Sequence, residues 1–427
     1  MSFNYYNPVQ ICFDIDILES LQTLAQSNQN KRYLLVTSKG FGKGCSNRDR
    51  DISIITETLP AACLTTSHTA FQYDYSSKNH LTKPQSQNFN HATSNNSDTK
   101  RTNLVQSIAN IFNNIIVLDC ITPNPELDFL QSIKAKLKGQ YDAIIALGGG
   151  SVIDSAKFFA LKNEIAIHHE TLEILGEAQA LPLFACPSTA GTGSELTQWA
   201  TIWNSKTNIK YSLSHKCLYP QIAFYDISLL LSLPLALTLH TTLDSLSHAI
   251  ESIWNKNANP ISTQYAKAAI ELILENLIPL YDMLNKKNLP SRNSEYNKQS
   301  LKTLRRNLAL ACMQAALSFS NTQTALAHAI SYPITMQCGV PHGLACSFSL
   351  PVLLDCINDE RADLILNPYK QKIKNLFAKL QISSNPRIYG LDSDMINNIF
   401  NSLNARAKNG LLDIAKVKTE MLRLLSN

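Results

Sequence analysis

Apolar positions follow two different patterns along the chain. In the N-terminal half they form short unbroken runs, YLLVT (residues 33–37), NIIVLD (114–119) and AIIAL (143–147), each of strand length. Between the last two lie a TPNPE turn and the amphipathic stretch ELDFLQSIKAKLK (126–138), which reads as a helix. Strands alternating with helices predict a parallel α/β sheet, because each parallel strand needs a crossover that returns to the same edge. Beyond about Asp226 the strand-like runs give way to long helical patterns. The pattern therefore predicts an α/β domain over residues 1–230 and an all-α domain over 231–427, joined near 226–234, where Pro234 interrupts. Residues 65–103 break the pattern. They are rich in Ser, Asn, Thr, Gln and Lys with almost nothing to bury, and are expected to be a disordered, solvated insertion without chemistry.

Composition narrows the function classes. The 427 residues are 44% hydrophobic and 17% charged, an ordinary globular balance with room for two cores. A net charge of +5 without a dense basic cluster disfavours nucleic acid as a partner. The most apolar run, ISLLLSLPLALTL, is broken by Pro234 and too short to span a bilayer, and MSFNYYNPVQICF lacks the features of a signal peptide, so a cytoplasmic protein is expected. The ten cysteines include no C-x-x-C pair and several sit in apolar runs, which predicts buried, reduced thiols.

Two glycine-rich turns suggest phosphate binding. In AIIALGGGSVIDSAK a strand runs into Gly148, Gly149 and Gly150, and a helix follows, with Ser151 and Asp154 spaced as a capping pair. Glycines admit a close ligand, and a helix N-terminus offers free N–H groups to an anion. CPSTAGTGSE repeats the arrangement after a second apolar strand and adds the hydroxyls of Ser188, Thr189, Thr192 and Ser194. Two such loops in one domain point to a nucleotide. At the end of YLLVT, where an acidic residue would bind an NAD ribose, Ser38 and Lys39 stand instead, which favours NADP(H) over NAD(H). Lys210 is a further candidate for the cofactor phosphates.

The second constellation lies in the helical half. In TLDSLSHAIES, Asp244 and His248 are four apart and share one helix face. Alone, such a pair is more simply a carboxylate satisfying an imidazole. His328, in a helical stretch, and His342, in a Pro-His-Gly turn, complete one oxygen and three nitrogen donors, a set suited to a divalent metal.

The motifs GGGSVIDSAK, PSTAGTGSE, LDSLSHAIES and GVPHG occur in the order and spacing of the iron-containing, or group III, alcohol dehydrogenases, which the chain resembles over nearly its whole length outside 65–103. The resemblance implies a dehydroquinate-synthase-like fold, an α/β nucleotide-binding domain followed by an α-helical one, and a nicotinamide cofactor working with Fe²⁺ or Zn²⁺. It places the metal ligands at Asp244, His248, His328 and His342. Many members carry a histidine four residues after the third ligand; here Tyr332 stands there, a candidate proton donor or a wall of the pocket. The stretches HAIESIWNKNANPIS and TALAHAISYPITMQCGVPHGLACSF are most similar to phosphonoacetaldehyde reductases of phosphonate biosynthesis, which implies reduction of phosphonoacetaldehyde to 2-hydroxyethylphosphonate. Arg305, Arg306, Asn255 and Asn257 are candidates for the anionic group, while Gln323 stands where that branch would carry a cation. A general short-chain alcohol dehydrogenase and a non-catalytic nucleotide-binding protein with a structural metal are the alternatives. The partner expected is a small aldehyde or alcohol, not nucleic acid or membrane, with a homodimer left open.

Overall fold

The computed structural model describes residues 2–38, 52–55, 95–207, 209–285 and 295–426. Their contacts separate into two compact units that divide between Leu233 and Pro234. The first is built on seven parallel strands: β1 (Gln10–Phe13), β2 (Tyr33–Ser38), β3 (Ile52–Ile55), β4 (Ile115–Ile121), β5 (Ala143–Gly148), β8 (Leu183–Pro187) and β11 (Ile222–Tyr225), in the order β1-β11-β8-β5-β2-β4-β3. Two strand pairs, β6 (Ile165–His168) with β7 (Thr171–Ile174) and β9 (Trp199–Asn204) with β10 (Ile209–Ser214), make a second sheet in the order β6-β7-β10-β9.

The unbroken apolar runs form strands because both faces of the large sheet are covered. Leu34, Val36, Ile144 and Ala146 point to one core with helices α3 (Leu127–Lys136) and α4 (Gly150–Ala160). Tyr33, Leu35, Ala143 and Ile145 point to the other with α1 (Ile17–Ser27) and α2 (Asn95–Ile111). The two-residue period of the strand decides which core each side chain enters.

Helix α2 corrects part of the expected insertion. Residues 65–94 lie outside the described residues, but from Asn95 the backbone is helical. Val105 and Ile108 anchor this helix in the core, and extending an anchored helix by further turns costs little, even with polar residues.

The second unit is helical and includes residues 2–6, which lie within the 1–230 span expected for the α/β domain. Tyr5 donates to the Leu317 carbonyl at 3.1 Å, and the Tyr6 amide to Asn321 Oδ1 at 2.7 Å. Its central helix, α5 (Leu235–Ile253), is buried along most of its length and packs on α6 (Pro260–Asn285), α7 (Glu295–Thr322), α8 (Leu326–Cys338) and the short α9 (His342–Ala345). Among the described residues no helix is long and apolar enough to cross a membrane, and the eight described cysteines are free thiols.

Candidate functional site

The glycine loops come together at the C-terminal ends of adjacent parallel strands, where open α/β sheets bind their ligands. Gly148 ends β5, next to Pro187 on β8, and the neighbouring residue of β2, Thr37, pairs with Leu147. A β-carbon on Gly149 would lie 3.0 Å from Thr189 Oγ1, and one on Gly150 2.7 Å from Thr192, so the two loops touch where each lacks a side chain. The Ser188 amide donates to the Gly148 carbonyl at 3.0 Å and ties them further. Ser38, half-buried, ends β2 on the same edge; Lys39 lies outside the described residues.

Two expectations here need correction. Gly149, not Ser151, is the N-cap of α4, and no side chain caps it, because the glycine run carries the backbone into the helix early. The Val152 amide donates to the Gly149 carbonyl at 3.0 Å, so the Gly150 and Ser151 amides are the N–H groups that the start of α4 offers an anion. Asp154 then turns inward: Ser194 Oγ donates to its Oδ1, and the Thr201 amide donates to Oδ2 at 2.9 Å. Its carboxylate is engaged in holding the second loop and is not presented to a cofactor. Lys210, on β10, acts electrostatically on Asp154.

The fully buried Lys157 supports the same loop. Its ammonium donates to Ser194 Oγ at 3.1 Å, Thr197 Oγ1 at 3.2 Å and the Trp199 carbonyl at 2.6 Å. Burial pulls its pKa down to about 8, against the opposing charges of Asp154 and Glu195.

In the helical unit, three imidazoles converge on one carboxylate oxygen. Asp244 Oδ1 lies 3.3 Å from His328 Nε2, 3.8 Å from His248 Nε2 and 3.9 Å from His342 Nε2. Helical spacing brings Asp244 and His248 to one face of α5, α8 supplies His328, and His342 opens α9. The rings of His248 and His328 stack, with centroids 4.4 Å apart, and Phe319 covers the other face of His248 at 4.0 Å. Burial would raise the Asp244 carboxyl, yet the surrounding imidazoles hold it well below the usual carboxylate range. The donor atoms of Asp244, His328, His342 and Cys346 lie within 4.8 Å of one another, and His248 Nε2 stands beside them, 3.8 Å from Asp244 Oδ1; an oxygen and imidazole set of this kind fits a divalent Fe or Zn ion.

Two further residues belong to this centre that the sequence motifs do not single out. Cys346 Sγ lies 3.4 Å from Asp244 Oδ1, and burial keeps it a protonated thiol that donates to that oxygen. Glu251, fully buried, places Oε2 2.6 Å from His328 Nδ1. Burial disfavours a charged His328, but Glu251 and Asp244 together outweigh it and push the pKa up to about 10. Glu251 follows His248 by three residues, on the same helix face as Asp244; that spacing was the available signal.

A model of the iron-containing alcohol dehydrogenases matches residues 78–227, and a model of the C-terminal domain of the Fe-containing alcohol dehydrogenase family matches 238–423. The chain belongs to the iron-containing alcohol dehydrogenase family. It is 30% identical to 1,3-propanediol dehydrogenase of Citrobacter freundii over 262 residues, 60% of this chain and 62% of that protein. It is 32% identical over 231 residues to a sulfoacetaldehyde reductase of Bilophila wadsworthia, 53% of this chain and 56% of the relative. The alignment with the first of these thus covers less than two thirds of that relative's length. The crystal structure of sulfoacetaldehyde reductase from Bifidobacterium kashiwanohense in complex with NAD⁺ shares the fold over 100% of both chains, with a TM-score of 0.73 and 21% identity.

Tyr332 lies one turn after His328 on α8, with its ring parallel to that of His342 at a centroid distance of 5.7 Å. The side chain of His342 is 37% exposed, whereas those of Asp244, His248 and His328 are at most 6% exposed, so Tyr332 stands at the open side of the centre. Three of the candidates for an anionic substrate group are engaged within the helical unit. Asn255 and Asn257 donate to the carbonyls of Gln323 and Thr322, at 3.2 and 3.3 Å, and close the end of α7. Buried Arg305 donates to Thr238 Oγ1 at 2.5 Å, and Arg306 is half-buried on the same helix.

Proposed function

We propose that the protein is a metal-dependent aldehyde reductase, reversible as an alcohol dehydrogenase, that uses NADP(H). The observation that carries this reading is the convergence of three Nε2 atoms on Asp244 Oδ1. Asp244, His248, His328 and His342 would hold Fe²⁺ or Zn²⁺. When bound, the metal supplies Lewis-acid polarisation and the nicotinamide supplies or accepts the hydride. The N-terminal amides of α4 and the hydroxyls of Thr189 and Thr192 take the cofactor phosphates. Ser38 and Lys39 favour a 2′-phosphate, since neither repels it as a carboxylate would. Tyr332 walls the open side of the metal centre beside His342, where its phenol is the side chain closest in role to a proton donor.

For the substrate we propose phosphonoacetaldehyde, reduced to 2-hydroxyethylphosphonate. The resemblance around His248 and His328 supports it, and a sulfoacetaldehyde reductase among the relatives supports a short aldehyde with an anionic tail. A general short-chain aldehyde is the second reading, favoured by the engagement of Asn255, Asn257 and Arg305 in contacts within the helical unit.

Assay of the metal-loaded protein with phosphonoacetaldehyde, acetaldehyde, propanal and lactaldehyde, each with NADPH and NADH, separates these readings. The phosphonate should exceed the neutral aldehydes in kcat/KM by roughly a hundredfold, because a site built for a dianion leaves polar groups unpaired around a neutral ligand. Equal values across the panel would establish the general reductase. Bound metal with no turnover of any aldehyde would overturn both and leave a structural metal.

A further inference from the structure

We propose that Glu251 is the positioning residue that makes His328 a metal ligand, and that only a carboxylate can do so because both of its oxygens face donors. The inference rests on the metal reading above. Oε1 accepts from the Ala327 amide at 2.6 Å and, more weakly, from the His328 amide at 3.4 Å. Oε2 accepts from the Ala325 amide at 3.0 Å and from His328 Nδ1 at 2.6 Å. The three backbone donors belong to the start of α8, whose N-cap, Ala325, offers no side-chain acceptor. Glu251 on α5 therefore caps α8 from 74 to 77 residues away, with its charge at the positive end of the helix.

The same carboxylate fixes the imidazole. An acceptor at Nδ1 keeps a proton there, so the nitrogen that can give up its proton to a metal is Nε2, the atom that faces Asp244. The cap sets where α8 begins and so where His328 stands; the Nδ1 bond sets its tautomer and ring orientation. One buried group does both.

Glutamine at this position cannot repeat the arrangement. Its amide nitrogen would face either the Ala327 and His328 amides, donor against donor, or the Ala325 amide and His328 Nδ1. In the second case Nδ1 must accept, the proton moves to Nε2, and the lone pair that would hold the metal is gone. A purely structural cap would lose stability on this change but would leave the metal affinity of the folded protein unaltered.

The test uses the full chain as wild type, Glu251→Gln and, as a control, His328→Ala. Each is stripped of metal and titrated with Zn²⁺ against a competing chelator and with Co²⁺ in the visible region. Glu251→Gln should bind zinc 10- to 100-fold more weakly than wild type, with an altered cobalt spectrum. Wild-type affinity and an unchanged cobalt spectrum in a folded Glu251→Gln protein would overturn the inference while leaving the metal reading in place. A wild-type protein that binds neither ion would overturn that reading and this inference with it. If Glu251→Gln does not fold, nitrogen NMR of zinc-loaded wild type labelled at histidine decides. A proton on Nδ1 of His328, assigned by its loss in His328→Ala, is expected, and an unprotonated Nδ1 would refute the proposal.

Discussion

Gly343 lies against the carbonyl of His240 so closely that a β-carbon on it would come within 1.8 Å of that oxygen. The turn that carries His342 is thus seated directly on the backbone of α5, one turn before Asp244, and Ser247 Oγ adds a bond to the Cys346 carbonyl at 3.0 Å. Alanine at 343 must push α9 away from α5. We expect Gly343→Ala to cost about 1–3 kcal/mol of stability and to lower metal content, since His342 moves with the turn. Thermal unfolding and elemental analysis check it; full metal content in this variant would show that the turn tolerates displacement.

The two late histidines should differ when removed. Both His328→Ala and His342→Ala are expected to lose the metal and the activity. His328→Ala also takes a donor from the buried Glu251 and should cost roughly 3 kcal/mol of stability in the metal-free protein. His342→Ala, at a partly exposed position, should stay within about 1 kcal/mol of wild type. Denaturant unfolding of the stripped proteins compares them, and equal losses would mean that the bond to Glu251 contributes nothing.

What the sequence revealed of this centre follows from distance along the chain. Asp244 and His248 are visible because four residues on a helix guarantee a shared face, and the glycine loops because each follows its own strand directly. Glu251 carries the same local signal, but its partners lie more than 70 residues away and no spacing announces them. Cys346 sits in an apolar run and reads as packing until its contact with Asp244 is seen. Ser151 and Asp154 show the opposite error, a local capping pattern defeated by tertiary contacts: Ser194 and Thr201 claim the carboxylate, and the helix starts at glycine instead. The strands were legible in YLLVT and AIIAL, whereas the helical start at Asn95 was hidden in a polar stretch whose anchor, Val105, comes only later.

Cofactor choice should respond to Ser38. A carboxylate at the end of β2 can accept from a ribose 2′-hydroxyl and repels a 2′-phosphate, so Ser38→Asp should shift the NADPH to NADH ratio of kcat/KM toward NADH. An unchanged ratio would place the ribose elsewhere.

Lys157→Met should cost about 3–5 kcal/mol, because it leaves the inward-turned Asp154 and Glu195 without their cation. The loss should also depend on pH. Burial already raises both carboxyls above their ordinary values, and Lys157 opposes that rise. Without it the folded chain holds protons that the unfolded chain has released, so the variant loses stability as pH climbs above the ordinary carboxylate range. The difference in Tm from wild type should therefore be larger at pH 7 than at pH 5. A constant difference would show that the two carboxyls keep the same protonation in both states.

The uneven burial of the four donors separates how tightly an ion is held from how fast it can leave. Three arms of the cage are sealed, and only the imidazole of His342 can swing aside to admit a chelator. The ring of Tyr332, parallel to that of His342, would restrain that swing as a latch on the door. Replacing Tyr332 with alanine would speed stripping by a coloured chelator, read by stopped flow, while the equilibrium affinity, set mainly by the sealed arms, would hardly change. Retention of an ion held there would in that sense be a kinetic property of one aromatic pair.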